Sequence, residues 1–592
     1  MKRINFIVIF IVAIVVLLLG RLYFLSIKSN TYYEELSKQN YIKRIYEAPS
    51  RGIIQDRNGV ALAINNLGFS ISVKPHLRSY KNKEILDTIC ETIALHFPQF
   101  TKDELIKKYL KLDSPYRHTH VTLVDYIDYD TFFNKYTLFN AMEDLKVESA
   151  IKRYYPYKFI ASHIIGYVGK ASKDDIEENL VSRYSGIIGK NGLEKFYNQR
   201  LQGELGYKDV KVNAYNKYLE VLEEKPVSTD NNIKTTIDIK LQEFIHELFG
   251  DQSGAVVVMD VNTGGLLAAG SFPEFDNNIF VNGITNKEWE VLRTDFNHPF
   301  TNKLISGLYP PGSVWKMGVA LSFLEHNLDP NFSVYCNGEM PLGGRNFRCW
   351  KPEGHGSVNF RKAIRESCDD FFYKGSLRVD IDNMNETLAK FGFGQKTGVD
   401  QVNEFVGVNP NREWKKEKFN KSWYAGETVI SSIGQGYVLT TPMQIARYTA
   451  SLATGKLPQP HFYEQNYKEP KLLDINPEHL KLVQEGMYDV ANESGGTAKW
   501  HLRNSKVTLA AKTGTAQVVT IPQSEKVRMK EHELEYYHRS HAWLTTYGPF
   551  EKPQYVVTVI VEHGGHGGSA GGEITTKIFN KLLELGYIKK EE

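Results

Sequence analysis

The chain has 592 residues, 42% of them hydrophobic, with 72 Lys and Arg against 69 Asp and Glu. That length exceeds what one hydrophobic core organises, so two or more domains are expected. The near balance of charge argues against a nucleic-acid partner, which selects for a basic excess.

Lys2 and Arg3 precede an apolar run from Ile7 to Leu19 that continues through Leu22–Leu25, interrupted only by Gly20 and Arg21. Ile4 to Ile27 is long enough to cross a bilayer as a helix. The basic start should remain cytoplasmic and place the rest outside. No small-x-small cleavage site follows the run, so it reads as a single-pass anchor over residues 1–29, not a removed signal peptide. Residues 30–45 read as a helix leaving the membrane. Asn58-Gly59, flanked by apolar residues, predicts a hairpin, because both residues accept positive φ. Helical periodicity recurs around 83–112, a glycine-started helix is expected over 187–206, and residues 207–226 alternate as strands.

The texture changes near 230. Thr235–Gln242 leads into an amphipathic helix, Gly254–Asp260 is an apolar strand, Asn262–Gly265 a turn, and Leu266–Ala269 opens the next strand. Thr441-Pro442-Met443-Gln444 carries the signals of a helix start. Strands are expected at Val507–Ala511, Ala542–Thr546 and Tyr555–Glu562, with a closing helix from Ile574 to Leu585. Strands at both ends of this stretch with helices between them predict an α+β domain whose sheet is built from both ends. The expected division is 1–29 anchor, 30–230 non-catalytic pedestal and 231–592 catalytic domain.

Three strings carry chemistry: Ser313-Val-Trp-Lys316, Ser367-Cys-Asp369 and Lys512-Thr513-Gly514. Tyr309-Pro-Pro-Gly312 breaks the chain just before Ser313, and an apolar helical pattern follows to Leu324. Serine and lysine three apart share a helix face, and a serine in the first turn gains from the helix-end N–H groups. A lysine acts as a base only when neutral; burial and a second cation favour that form, and Lys512 is the candidate cation. Ser149-Ala-Ile-Lys152 repeats the first pattern, without a breaker and within the pedestal, and is read as coincidence. Lys396-Thr397-Gly398 repeats the third in a turn-like stretch after a helix, whereas Lys512 follows an apolar strand, as a motif facing a cleft requires.

Taken together, the set resembles the class B penicillin-binding proteins, single-pass transpeptidases that cross-link peptidoglycan. The anchor, Arg51-Gly52…Asp56-Arg57-Asn58-Gly59, Gly189-Lys-Asn-Gly-Leu-Glu194 and Ile433-Gly-Gln-Gly436 extend the likeness over nearly the whole chain. Phe272-Pro-Glu-Phe-Asp276 with the long insert to Tyr309, and Asp370-Phe-Phe-Tyr373, point to the elongation branch and not the septal one. The resemblance implies that Ser313 attacks a D-Ala carbonyl of a stem peptide, Lys316 accepts its proton, and Ser367 relays it to the leaving amine. It implies that Lys512 and Thr513 bind the terminal carboxylate, with Gly514 and Thr515 lining the substrate strand and the Ser313 and Thr515 N–H groups forming an oxyanion hole. Further implications are acylation of Ser313 by β-lactams, a lipid-linked precursor as donor, a RodA-type polymerase and a MreC-type scaffold as partners, a bacterial inner-membrane location with the catalytic domain periplasmic, and no catalytic cofactor.

Asp369 departs from the family's usual asparagine. A carboxylate accepts hydrogen bonds and cannot donate them, and it stabilises the charged form of a nearby lysine. Asp369 therefore either pairs mainly with Lys512 or shares a proton with Lys316. The cysteines suggest a second site. Cys90 stands alone and reads as a small buried hydrophobe. Cys336, Cys349 and Cys368, with His355, match a closed tetrahedral zinc site; the alternative is a Cys336–Cys349 disulfide. His563 and His566 lie among glycines and read as a flexible rim.

Overall fold

The computed structural model describes residues 2–28, 41–78, 83–115, 119–213, 218–519 and 531–589. Lys2–Tyr23 is an unbroken helix that ends in a wider turn over Phe24–Lys28. Its apolar side chains are exposed throughout. At 1.5 Å per residue the 26 residues Arg3–Lys28 rise about 39 Å, more than a hydrocarbon core of about 30 Å. Among the described residues this is the one helix long and apolar enough to cross a membrane. Residues 29–40 lie outside the described ones, and Ile42–Glu47 is a strand where the sequence suggested helix. The reason is tertiary: that segment pairs with Gly206–Val212, and Arg44 grips Asp209 through two hydrogen bonds of 2.7 and 2.6 Å.

By contact density the chain divides into two compact units: Met1–Gly52 with Lys170–Ile188 and Gln199–Asn231, and Ile53–Gly169 with Gly189–Asn198 and Asn232–Glu592. The first holds an antiparallel sheet in the order Ile42–Glu47, Gly206–Val212, Tyr218–Lys225.

The second unit contains two larger sheets. One is centred on Ala61–Val73, which pairs with Ile54–Gln55, Val121–Asp128 and Leu145–Tyr154. The expected turn at Asn58-Gly59 is present: Gly59 has φ +87°, and Asp56 Oδ1 accepts from the N–H groups of Asn58 and Val60. Helices Lys83–His96 and Lys102–Leu112 cover this sheet over a core that includes Cys90, Phe97, Phe132 and Phe139. The expected helix over 187–206 is broken into Gly192–Phe196 and Asn198–Gln202. Its first part folds back tightly, and a side chain at Gly189 would overlap the Glu194 carbonyl.

The other sheet positions the site. Helix α1 (Ile239–Phe249), capped by Asp238, leads into β1 (Gly254–Asp260) and β2 (Leu266–Phe272). Helices α2 (Lys316–Glu325), α3 (Phe360–Arg365), α4 (Asp369–Ser376) and α5 (Pro442–Thr454) follow. The chain returns as β3 (Ala510–Ala516), β4 (His541–Gly548), β5 (Tyr555–Val561) and α6 (Gly567–Glu584). The sheet order is β2-β1-β5-β4-β3, antiparallel throughout, so it is built from both ends of this stretch. Its centre is buried on both faces because helices cover both. Neighbouring residues on β4 show this: Leu544 packs under Gly571 of α6, while Thr545 bonds Thr449 of α5 at 2.7 Å. The capping box expected at Thr441–Gln444 starts α5. The closing helix begins at Gly567, seven residues before its expected start. Gly567, Gly568, Gly571 and Gly572 belong to it, and a side chain at Gly567 would overlap the Trp543 carbonyl. Of the glycines around His563 and His566 expected to form a flexible rim, Gly567 and Gly568 are packed into the first turn of this helix.

Candidate active site

Ser313 lies in a 3₁₀ turn, Gly312–Trp315, that runs directly into α2. The preceding prolines and Gly312, at φ +55°, set the turn's entry. Gly312 N–H donates to Gly434 O at 2.9 Å, and Tyr309 pairs with Thr440 through backbone bonds of 3.0 and 2.9 Å. A methyl on Gly312 would stand 2.6 Å from Thr515 O, so the serine turn abuts β3. Gly514 answers it from the strand: a methyl there would meet Pro311 O at 3.0 Å and Val314 Cγ1 at 3.1 Å. Gly514 thus admits the serine turn against the strand.

Lys316 opens α2, and its side chain has no solvent exposure. Its Nζ donates to Asp369 Oδ1 at 2.6 Å, to Ser367 O at 2.9 Å and to Ser367 Oγ at 3.3 Å. Lys512, equally buried, donates to Ser367 Oγ at 2.8 Å and to Thr513 O at 3.0 Å. Asp369 is thus paired directly with Lys316, while Lys512 bonds Ser367 and Thr513. Burial, and next the Lys316 charge, depress the Lys512 ammonium well below the ordinary lysine range. Burial pushes the Asp369 carboxyl up, although Lys316 draws it down.

Ser367 sits where α3 ends. Its N–H donates to Ile364 O and the N–H of Cys368 to Ala363 O. This is the Schellman pattern, with Ser367 in the left-handed position that glycine normally fills (φ +54°). Asp369 then begins α4. On β3, Lys512 is registered against Thr545 and Thr513 against Leu544, so the pleat sends them to opposite faces. Lys512 reaches Ser367, while Thr513 Oγ1 meets Thr497 Oγ1 at 2.7 Å. Gln435 Nε2 donates to Thr515 O at 3.3 Å, bringing the Ile433–Gly436 segment to the same strand.

The duplicate strings lie elsewhere in chemical terms. Ser149 and Lys152 occupy a strand, Leu145–Tyr154, on which residues three apart face opposite ways. Thr397 of the first Lys-Thr-Gly is tied by its N–H to Glu404 at 2.6 Å in a loop.

The four metal candidates converge. Cys336 ends strand Ser333–Cys336, which pairs with Gly356–Asn359 and so brings His355 beside it. Cys349 leaves the hairpin Glu339–Leu342/Arg345–Arg348, and Cys368 precedes α4. Their ligand atoms lie within 4.8 Å of one another, and all four residues are buried. The thiols are free, so the Cys336–Cys349 disulfide is not formed. Hydrogen bonding from Cys368, then from His355, holds the Cys349 thiol far below its usual range, while Cys368 is raised by the same bond and by burial. His355 Nδ1 faces both Cys336 and Cys349 Sγ, at 3.6 and 3.5 Å, and its Nε2 is buried with no partner among the described residues.

Sequence reasoning missed Trp350, which donates from its main-chain N–H to Asp369 Oδ2 and from its indole to Glu366 O and Ser367 O. The signal was indirect: convergence of Cys349 with Cys368 places their neighbours Trp350 and Ser367 side by side. It also missed the buried set behind the serine turn, where Lys303 bonds Glu562 at 3.3 Å and Tyr309 donates to Glu562 at 2.7 Å.

An α+β scaffold that presents a serine at a helix start, two buried lysines on one relay hydroxyl and an edge strand beside them defines a serine acyl-transfer site. The penicillin binding protein transpeptidase domain matches residues 254–584 and the penicillin-binding protein dimerisation domain residues 46–235. The chain is 34% identical over 590 residues to the peptidoglycan D,D-transpeptidase MrdA of Escherichia coli K12, covering 96% of this chain and 91% of that one. Penicillin-binding protein 2 of Helicobacter pylori, solved in complex with MreC, superposes with a TM-score of 0.85 at 43% identity, over 93% of this chain and 100% of that one. Penicillin-binding protein 2 of Pseudomonas aeruginosa does so at 0.67 and 28%, over 92% of this chain and 97% of that one. The chain belongs to the class B penicillin-binding proteins and within them is most like penicillin-binding protein 2.

Proposed function

We infer that the chain is a peptidoglycan D,D-transpeptidase of cell elongation, which cross-links stem peptides through an acyl-enzyme on Ser313 and is a target of β-lactams. One observation carries the assignment of roles: Ser367 Oγ is bonded by both buried lysines, one from the serine helix and one from the edge strand. A hydroxyl held between two amines moves a proton between them by exchanging donor and acceptor roles.

In the proposed cycle, Lys316 removes the Ser313 proton as Oγ attacks the D-Ala carbonyl. Its own extra proton passes to Asp369, whose burial favours the neutral acid. The N–H groups of Ser313 and Thr515 receive the oxyanion. The Lys316–Ser367 pair then returns a proton to the departing D-alanine amine. Lys512, Thr513 and Thr515 are assigned to the terminal carboxylate, whose negative charge favours the protonated form of Lys512. An acceptor amine from a second stem reverses these steps. Gly514 lets the serine turn and the strand close on one another. No step calls for a cofactor.

The Cys336, Cys349, His355 and Cys368 set is proposed to hold a structural zinc ion. Three sulfurs and one nitrogen at these separations suit tetrahedral bonds of about 2.3 and 2.0 Å. The same reading makes residues 1–29 cytoplasmic stub and anchor, 30–230 a non-catalytic pedestal, and 231–592 the transpeptidase domain. Lys2 and Arg3 favour a single-pass protein of the inner membrane with the catalytic domain periplasmic. The MreC complex of the Helicobacter relative supports a MreC-type scaffold as partner, and the family likeness supports a RodA-type polymerase.

Labelling of the full chain by fluorescent penicillin tests the assignment. The wild type is expected to be labelled covalently, and Ser313→Ala to be unlabelled with an unchanged melting temperature. Labelling that persists in Ser313→Ala overturns it. Elemental analysis of protein purified without added metal is expected to find one zinc per chain; its absence from folded, active protein refutes the metal.

A further inference from the structure

Ser367 must satisfy a conflict. Its hydroxyl is needed between Lys316 and Lys512, yet its backbone occupies the left-handed position after a helix where glycine is preferred. Something outside α3 has to hold a side-chain-bearing residue there. The local Schellman bonds engage the N–H groups of Ser367 and Cys368 but not the Ser367 carbonyl. Two donors meet that carbonyl: Lys316 Nζ at 2.9 Å and the Trp350 indole at 3.1 Å. The indole N–H also reaches Glu366 O at 3.1 Å, so one donor spans two successive carbonyls. The main-chain N–H of the same residue donates to Asp369 Oδ2 at 2.8 Å, two residues beyond the serine. Trp350 therefore grips the loop on both sides of Ser367.

Its ring lies edge-on to His355 at 5.4 Å and is about half exposed. A half-exposed tryptophan whose indole N–H is spent on backbone carbonyls adds little to a hydrophobic core. Its geometric consequence falls on the loop. Lys316 is the proposed base, so its protonation state changes through the catalytic cycle while it shares this carbonyl with the indole. The indole, which does not titrate, maintains the loop throughout.

We propose that Trp350 is a positioning residue for the transpeptidase reaction, whose indole N–H holds Ser367 in its left-handed conformation so that the hydroxyl stays between Lys316 and Lys512. The proposal rests on the reading of Ser367 as the proton relay. Trp350 acts on the reaction through Ser367.

The test uses the full chain in detergent and stopped-flow acylation by a fluorescent penicillin, which separates the dissociation constant of the first complex from the limiting acylation rate. Trp350→Phe removes the N–H and keeps the ring. Its limiting rate is expected to fall about tenfold or more with the dissociation constant within about twofold. Trp350→His, which retains a ring N–H, is expected to recover part of the rate. Ser367→Gly removes both the hydroxyl and the backbone conflict, so adding Trp350→Phe to it should change the residual rate by less than about twofold. An unchanged limiting rate in Trp350→Phe overturns the proposal, as does the full loss reappearing in the Ser367→Gly background. Wild-type labelling that is lost in Ser313→Ala but equal in Trp350→Phe leaves the acyl-transfer assignment standing and removes only the positioning role.

Discussion

Replacing Asp369 by Asn tests how the second motif works without its usual amide. In the wild type the two carboxylate oxygens have separate tasks: Oδ1 accepts from Lys316 at 2.6 Å and Oδ2 from the Trp350 N–H at 2.8 Å. Asparagine has one oxygen for two donors. If Lys316 kept its charge, the variant would bury an ammonium without a counter-ion, and breaking such a pair costs about 3–5 kcal/mol. A cheaper arrangement exists. The amide oxygen keeps the Trp350 N–H, and a neutral Lys316 keeps its N–H bonds to Ser367 with its lone pair left for Ser313. The expected loss is then the difference between a charged and a neutral hydrogen bond, about 1–2 kcal/mol of stability. Because neutral Lys316 is the form that deprotonates Ser313, acylation by fluorescent penicillin should survive, within about tenfold of wild type. Thermal unfolding measures the first quantity and stopped-flow acylation the second. Complete loss of labelling in a variant that melts cooperatively would refute the reasoning, since it would mean that the carboxylate itself is indispensable.

The depressed proton affinity of Lys512 makes stability depend on pH. The unfolded chain binds this proton up to about pH 10.5 and the folded one releases it earlier, so stability should rise with pH between the folded value and about 10.5. Its contribution is full above the unfolded value and declines as pH falls through the folded one. Melting curves of wild type and Lys512→Met across that range should converge at the alkaline end; parallel curves would contradict the buried, neutral amine. At Gly434, φ is +70° and a methyl would overlap the Gly312 carbonyl. Gly434→Ala should therefore cost about 2–4 kcal/mol from left-handed strain and overpacking. It should also displace the serine turn, with acylation slowed more than a cavity-forming substitution of similar cost elsewhere. Unaltered acylation would show that the turn does not lean on this segment. Cys349→Ser should lower both metal content and acylation rate, because the next residue, Trp350, reaches the Ser367 loop. Metal loss without a change in rate would separate the two sites.

The strands of the catalytic sheet, the helix carrying Lys316 and the anchor were legible because each follows from local periodicity. Val256, Val257 and Val258 favour an extended buried strand, and Ser313 and Lys316 are neighbours on any helix. Chain order even showed the sheet closing from both ends. The early start of α6 was not legible, because four glycines that look like a loop in sequence let a helix press against Trp543, Leu544 and His501. The strand at Ile42–Glu47 was misread for the same reason: its partner lies some 160 residues away, at Asp209 and its neighbours.

What the sequence determined by itself was the inventory of chemistry, a serine with a lysine one turn on, a second hydroxyl, a second lysine on a strand, and three thiols with an imidazole. Such groups announce themselves by type and by spacing along a single element. Which lysine meets Asp369, why Ser367 endures a glycine's conformation, and what Gly514 makes room for were decided only when α3, β3 and the hairpin before Cys349 came together. Hydrogen bonds of about 3 Å and collisions with a single methyl depend on atoms far apart in the chain, and no local pattern encodes them.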